Sequence, residues 1–161
     1  MDEKFLFDHF NVNFDPKPDP VPYNYRISYK VSQICLVLSK TCRKKSGCSP
    51  LKLHIISFAL SSDELMTELL NYVNGNTHNF PVIRFDPAIN RAVSFSLSDG
   101  LIDSLPSGKY TLSEKGNKLI EVIDKDNSVL KKEKQHLEML SRKLTDDKIN
   151  SLVNNWRNFN A

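Results

Sequence analysis

The chain is short of the residues that the commonest chemistries need. Only five glycines occur in 161 residues. None of them forms a Walker-type loop, a G-x-S-x-G elbow or a glycine-rich phosphate cradle, which excludes the usual nucleotide and hydrolase frameworks. The three cysteines, Cys35, Cys42 and Cys48, are an odd number. Without a secretory context they are expected to be reduced thiols in a cytoplasmic setting. No apolar run approaches the length that crosses a bilayer, so no membrane partner is expected. The opening MDEKFLFDHF is acidic and lacks an apolar core, so no signal peptide is expected either. Charge of one sign is also scarce: 22 Lys and Arg against 19 Asp and Glu leave +3, less than a dedicated nucleic-acid binder usually carries.

Candidate catalytic groups do not converge. Cys42, Cys48 and His54 are close in sequence, but their spacing is neither a C-x-x-C knuckle nor another standard zinc pair, and Cys35 falls on an apolar helix face. Buried thiols are the expectation. His9, His78 and His136 fall in an arm, a loop and a charged tail. Asp99 and Asp103 flank a turn, and Asp146 and Asp147 open a helix, so both carboxylate pairs read as structural. No enzymatic activity, cofactor or metal is expected.

What is present is a regular alternation of helix signals around one hairpin. Residues 1–24 are expected to be an extended arm: Phe5, Phe7, Phe10 and Phe14, then Pro16, Pro18, Pro20 and Pro22. Prolines at every second position block helix and favour an extended path, and phenylalanines beside such a spacer are candidate partner-binding residues. The simpler alternative lays the arm over its own domain. Residues 25–124 read as one domain. Ile27, Val31, Ile34, Cys35 and Leu38 make a single apolar stripe on a first helix. Ser49-Pro50 starts a second, apolar on most sides and therefore expected to be central. Ser62 caps a third, with Gly75 at its exit. Pro81–Phe85 is expected to be a short strand beside the hairpin. Asp86-Pro87 starts a fourth helix with Ala88, Ile89, Ala92, Val93 and Phe95 on its inner side, closed by Gly100. Leu101 and Ile102 lead into a turn at Pro106-Ser107-Gly108, Tyr110 and Leu112 return as a strand, and Ser113 caps a helix carrying Leu119, Ile120 and Ile123. The expected core includes Val31, Ile34, Leu38, Ile55, Phe58, Leu69, Ala92, Val93, Leu112 and Leu119.

Residues 125–161 lose glycine and proline and mix their charges. Val129, Leu130, Leu137, Leu140 and Leu144 keep a helical spacing, and a last helix carries Trp156. The apolar stripe needs cover from the domain, a second copy or another protein, which makes Leu137, Leu140 and Trp156 further candidates for partner binding. The fold class expected is mainly α (α+β): a winged-helix core with a small β-hairpin wing, an extended N-terminal arm and C-terminal helices.

The runs YNYRISYKVSQICLVLS, CSPLKLHIISFAL, RFDPAINRAVSFSLSDGLI and KYTLSEKGNKLI, spanning about Tyr23 to Ile123, resemble the middle component of bacterial ABC-three-component systems. These include the small subunit of Lamassu antiphage complexes. The resemblance implies a cytoplasmic, non-enzymatic adaptor that works beside an SMC-like, coiled-coil ATPase and an effector, often a nuclease, with DNA engaged through the complex. By fold-level analogy it would brace the ATPase heads and couple DNA sensing to effector release.

Two other readings compete. A winged-helix transcription regulator would dimerise and read a palindromic operator. Its recognition segment, Pro87 to Asp99, carries a single cation, Arg91, and the wing turn offers Lys109. Arg43, Lys44 and Lys45 add a basic spot. These five residues support weak, backbone-only DNA contact better than sequence reading, because each neutralised phosphate adds only one increment of affinity. An inhibitor or antitoxin-like binder would pair one-to-one with an effector and need no ATPase.

Overall fold

Helix α1 (Ile27–Thr41) is buried on every side over its middle: Gln33, Ile34, Cys35, Leu36, Val37 and Leu38 are all enclosed in succession. A helix can do this only if neighbours pack around its whole circumference. The computed structural model describes residue 22 and residues 26–159. The Phe5, Phe7, Phe10 and Phe14 arm lies outside the described residues. Among those described, six further helices and a two-stranded antiparallel sheet follow α1: α2 (Pro50–Ala59), α3 (Asp63–Val73), α4 (Pro87–Ser98), β1 (Ile102–Ser104), β2 (Tyr110–Leu112), α5 (Glu114–Lys125), α6 (Lys131–Leu140) and α7 (Asp146–Phe159). The protein is thus mainly helical with a small β component.

Caps set the helix starts. Ser49 Oγ accepts from Lys52 N at 3.2 Å, Ser62 Oγ from Leu65 N at 3.2 Å, Asp86 Oδ1 from Ala88 N at 2.8 Å and Ser113 Oγ from Gly116 N at 3.0 Å. Each satisfies an N–H that the helix itself leaves unpaired. Gly100, at φ 69°, ends α4, and Leu101 N turns back onto Ser96 O at 2.8 Å. Gly116 is required for a different reason. The first turn of α5 runs so close to the chain entering β1 that a Cβ at Gly116 would overlap the Leu101 carbonyl.

In the hairpin Ile102 pairs with Leu112 and Ser104 with Tyr110. A third segment joins its free edge: Cys48 N donates to Tyr110 O at 2.8 Å and Tyr110 N to Cys48 O at 2.9 Å. Residues 81–85 form no strand, contrary to the expectation from sequence. The open side of β2 is already taken by the loop before α2, and Pro81 has no N–H to offer.

Three further expectations are corrected. Helix α2 is largely enclosed, in keeping with the central place expected for it, and α1 is enclosed too, packing against α2, α4, α5, α6 and β2; but Ile27, assigned to the buried stripe of α1, is exposed. Phe95 is 51% exposed, and Ser96, bonded through Oγ to Ala92 O at 2.7 Å, occupies the inner row instead. The small Ala88, Ala92 and Ser96 let α4 lie close on α1, and a phenylalanine ring does not fit in that row. Of the remaining core expectations, Val31, Ile34, Leu38, Ile55, Leu69, Ala92, Val93 and Leu112 are buried. Phe58, edge-on to Phe80 with ring centroids 6.2 Å apart, and Leu119 are half-buried.

The third correction concerns the tail. Leu137, Leu140, Leu144, Ile149 and Leu152 belong to the same core as α1, so Leu137 and Leu140 have no surface to offer a partner. Helix α6 packs on α1 and α3. Tyr29 Oη donates to Glu133 Oε1 at 2.7 Å, Tyr72 Oη to Lys148 O at 2.7 Å and Trp156 Nε1 to Phe80 O at 2.8 Å. The helical spacing read from Val129 to Leu144 is broken at both ends by left-handed residues, Leu130 at φ 50° and Ser141 at φ 45°, which turn α6 back onto the domain. Leu137→Ala should therefore destabilise the whole chain by about 2–5 kcal/mol. Chemical denaturation followed by helical circular dichroism should show one transition at lower denaturant, whereas a separately folded tail would leave the main transition unmoved.

Candidate functional site

Two surfaces collect the residues with chemistry to offer. The first is built on the outer side of α4. Helical geometry places Arg91, Ser94 and Ser98 along the outward row, with Leu97 on one flank and Phe95 on the other, and all five are exposed. Ahead of the helix Phe85 is 62% exposed. Its ring meets His54 of α2 edge-on with centroids 4.6 Å apart. His54 and Asn90 Oδ1 are joined through Nε2 at 3.0 Å, which assigns the Nε2 proton to a bond with the amide oxygen. A groove of about 180 Å³ separates α2 from α4, walled by Pro50, Leu53, His54, Val93, Leu97 and Tyr110. The surface thus combines aromatic and aliphatic groups with one cation.

The N-terminus of α4 is anchored from behind. Lys30 Nζ lies 3.1 Å from Asp86 Oδ2 while the other carboxylate oxygen caps the helix. Partial burial pushes the Asp86 carboxyl up, but the Ala88 N–H and the Lys30 ammonium outweigh it and hold it below the usual carboxylate range.

The second surface is basic. Arg43, Lys44 and Lys45 are exposed on the loop between α1 and α2. Arg43 lines two adjoining clefts of about 190 Å³ each, one with Lys44 and Arg142, the other with Lys52, Lys109 and Arg142. Lys109 is ion-paired with Asp146 at 2.7 Å and so offers little free charge. Arg91 lines neither cleft. The structure therefore brings Arg43, Lys44 and Lys109 together and leaves Arg91 on the first surface. Arg142 was missed because the helical spacing through Leu144 hid the turn at Ser141. The adjacent Arg142-Lys143 pair was the available signal. Phe95 and Leu97 were missed as surface residues for a related reason: Ser96, not Phe95, continues the Ala88–Ala92 row. Trp156 is half-buried against Phe80. It borders an open apolar shelf with Pro81, Val82 and Phe159.

The histidine and cysteine groups stay apart as ligands. His54 faces Asn90 and Phe85, and among the described residues no three His, Cys, Asp or Glu side chains are placed to share a metal ion. Among those residues no helix is long and apolar enough to cross a membrane. Comparison of the chain with protein-family models, with curated proteins and with solved structures finds no match.

Asp86→Ala removes both the cap and the Lys30 partner, and should cost about 1 kcal/mol at neutral pH. A carboxylate whose folded pKa is depressed stabilises the fold above its unfolded value and loses that contribution as pH falls through the folded value. The stability gap between wild type and variant, measured by urea denaturation, should accordingly shrink in acid. A gap that persists unchanged would mean the charge contributes nothing.

Proposed function

We propose that the chain is a non-enzymatic, winged-helix adaptor of a bacterial defence complex, working beside an SMC-like ATPase and an effector such as a nuclease. Support for the winged-helix reading comes from the order helix, hairpin, helix in α4, β1–β2 and α5. The backbone pair between Cys48 and Tyr110 adds to it, since it lends the hairpin a third segment from between the first two helices. The observation that carries the adaptor reading is the outer face of α4. In a DNA reader this helix would present several phosphate- and base-contacting groups. Here it presents Phe95 and Leu97 around a single cation, with Phe85 at its start. Exposed aromatic and aliphatic groups on one helix and at its start, with Leu97 also walling the groove toward α2, suit a protein partner. The basic clefts at Arg43 and Arg142 supply the weaker DNA contact, made within the assembly.

The reading predicts a long coiled-coil ATPase encoded in a neighbouring reading frame, with which the chain co-purifies. Phe95→Glu should abolish that co-purification while leaving the circular dichroism spectrum unchanged, because the ring is already half in water. Arg91→Ala should leave assembly intact. A symmetric homodimer that picks a palindromic duplex from random competitor, and loses it in Arg91→Ala, would establish the regulator instead.

A further inference from the structure

Three buried thiols occupy different surroundings, and the contrast singles out one of them. Cys35 is enclosed in the apolar middle of α1, where burial pushes its thiol up to about 11. Cys42 ends the same helix and forms part of the wall of both basic clefts. The Thr41 hydroxyl lies 3.5 Å from its sulfur. Lys52 is buried beside it, with Nζ bonded to the Thr41 carbonyl at 3.1 Å and no carboxylate within ion-pairing distance among the described residues. A buried ammonium without a carboxylate favours any neighbouring group that can become an anion. Cys48, fully buried, stands at the other end of the short loop that Cys42 begins. Backbone geometry holds the two together: Gly47 N donates to Arg43 O at 2.8 Å, closing the loop one residue inside each cysteine. On its other side Cys48 is fixed by the backbone pair with Tyr110.

We propose that Cys42 and Cys48 form an oxidant-sensitive dithiol, with Cys42 as the attacking thiol, Cys48 as the resolving one, and a small hydroperoxide as the oxidant. In the first step the Cys42 thiolate attacks a peroxide oxygen. An S–O bond forms, the O–O bond breaks, and the leaving oxygen takes a proton to give water or an alcohol. In the second, the Cys48 sulfur attacks the Cys42 sulfenic acid. The S–S bond forms, the S–O bond breaks, and hydroxide leaves as water with the Cys48 proton. Two electrons pass from the two thiols to one peroxide, so the balance closes without another reactant. The electrostatics agree with this division of roles. The Cys48 thiol, outweighing burial, and then the Lys52 ammonium bring Cys42 down to about 7 against the opposing charge of Asp146 in the same cleft, while Cys48 is raised well above its ordinary value. The cross-link would staple the Arg43–Gly47 loop shut at the edge of both basic clefts, whatever partner the chain serves.

The test treats the reduced full-length chain with hydrogen peroxide, alkylates the remaining thiols and digests it with trypsin. Cleavage at Lys40, Arg43 and Lys45 separates the two cysteines, so their union appears as Thr41–Arg43 joined to Ser46–Lys52. The expected result is that joined pair, reversed by dithiothreitol, with Cys35 still free. Alkylation of the untreated folded chain should label Cys42 about tenfold faster than Cys35. In Cys48→Ser, dimedone should trap a sulfenic acid at Cys42. Absence of the joined pair, a pair that includes Cys35, or oxidation of Cys42 to sulfinic acid in the wild type would overturn the proposal.

Discussion

Enclosing α1 is the constraint on which the rest of the structure depends. Its buried side chains include polar ones, Lys30, Gln33 and Thr41, that an all-round apolar coat would leave unsatisfied. One of these is answered by a neighbouring element and one within the helix itself. Lys30 reaches Asp86 at the start of α4, and the Thr41 hydroxyl returns to Val37 O at 2.8 Å while its carbonyl receives Lys52. The helix contacts are thus oriented by hydrogen bonds as well as packed. The same links place α4 with one face held on α1 and its other face outward, which creates the first candidate surface.

Local signals carried much of this architecture. Helix starts at Ser49-Pro50, Ser62, Asp86-Pro87 and Ser113 were readable because a cap is a chemical event within four residues. The hairpin was readable from Pro106-Ser107-Gly108 between alternating segments. What could not be read was whatever depends on a distant partner. Nothing near Cys48 announces that it pairs with Tyr110. Nothing near Pro81 announces that the sheet edge is already occupied. The tail was the largest case: a helix with one apolar stripe states that it needs cover but not where the cover lies. Only the folded chain shows that Leu137 and Leu140 join the common core as α6 packs on α1 and α3.

The candidate surfaces were legible to a different degree. Arg43, Lys44 and Lys45 were visible as a basic run, yet the clefts that give them shape require Arg142 from the far end of the chain. The α4 face was misjudged by one position, Phe95 for Ser96, and that position decides whether the helix presents an aromatic ring to solvent. An amphipathic helix reports its mean face accurately and its boundary residues poorly, because close contact between helices selects small side chains over apolar ones at the centre of the interface.

The Trp156 indole offers a practical consequence. It is the chain's sole tryptophan and is hydrogen-bonded to Phe80 O while still partly reaching solvent. Its emission therefore reports on the surroundings of α7, free of any other indole background. A shift to longer wavelength would register the last helix lifting away, an event that would also break the Tyr72 hydrogen bond to Lys148 O.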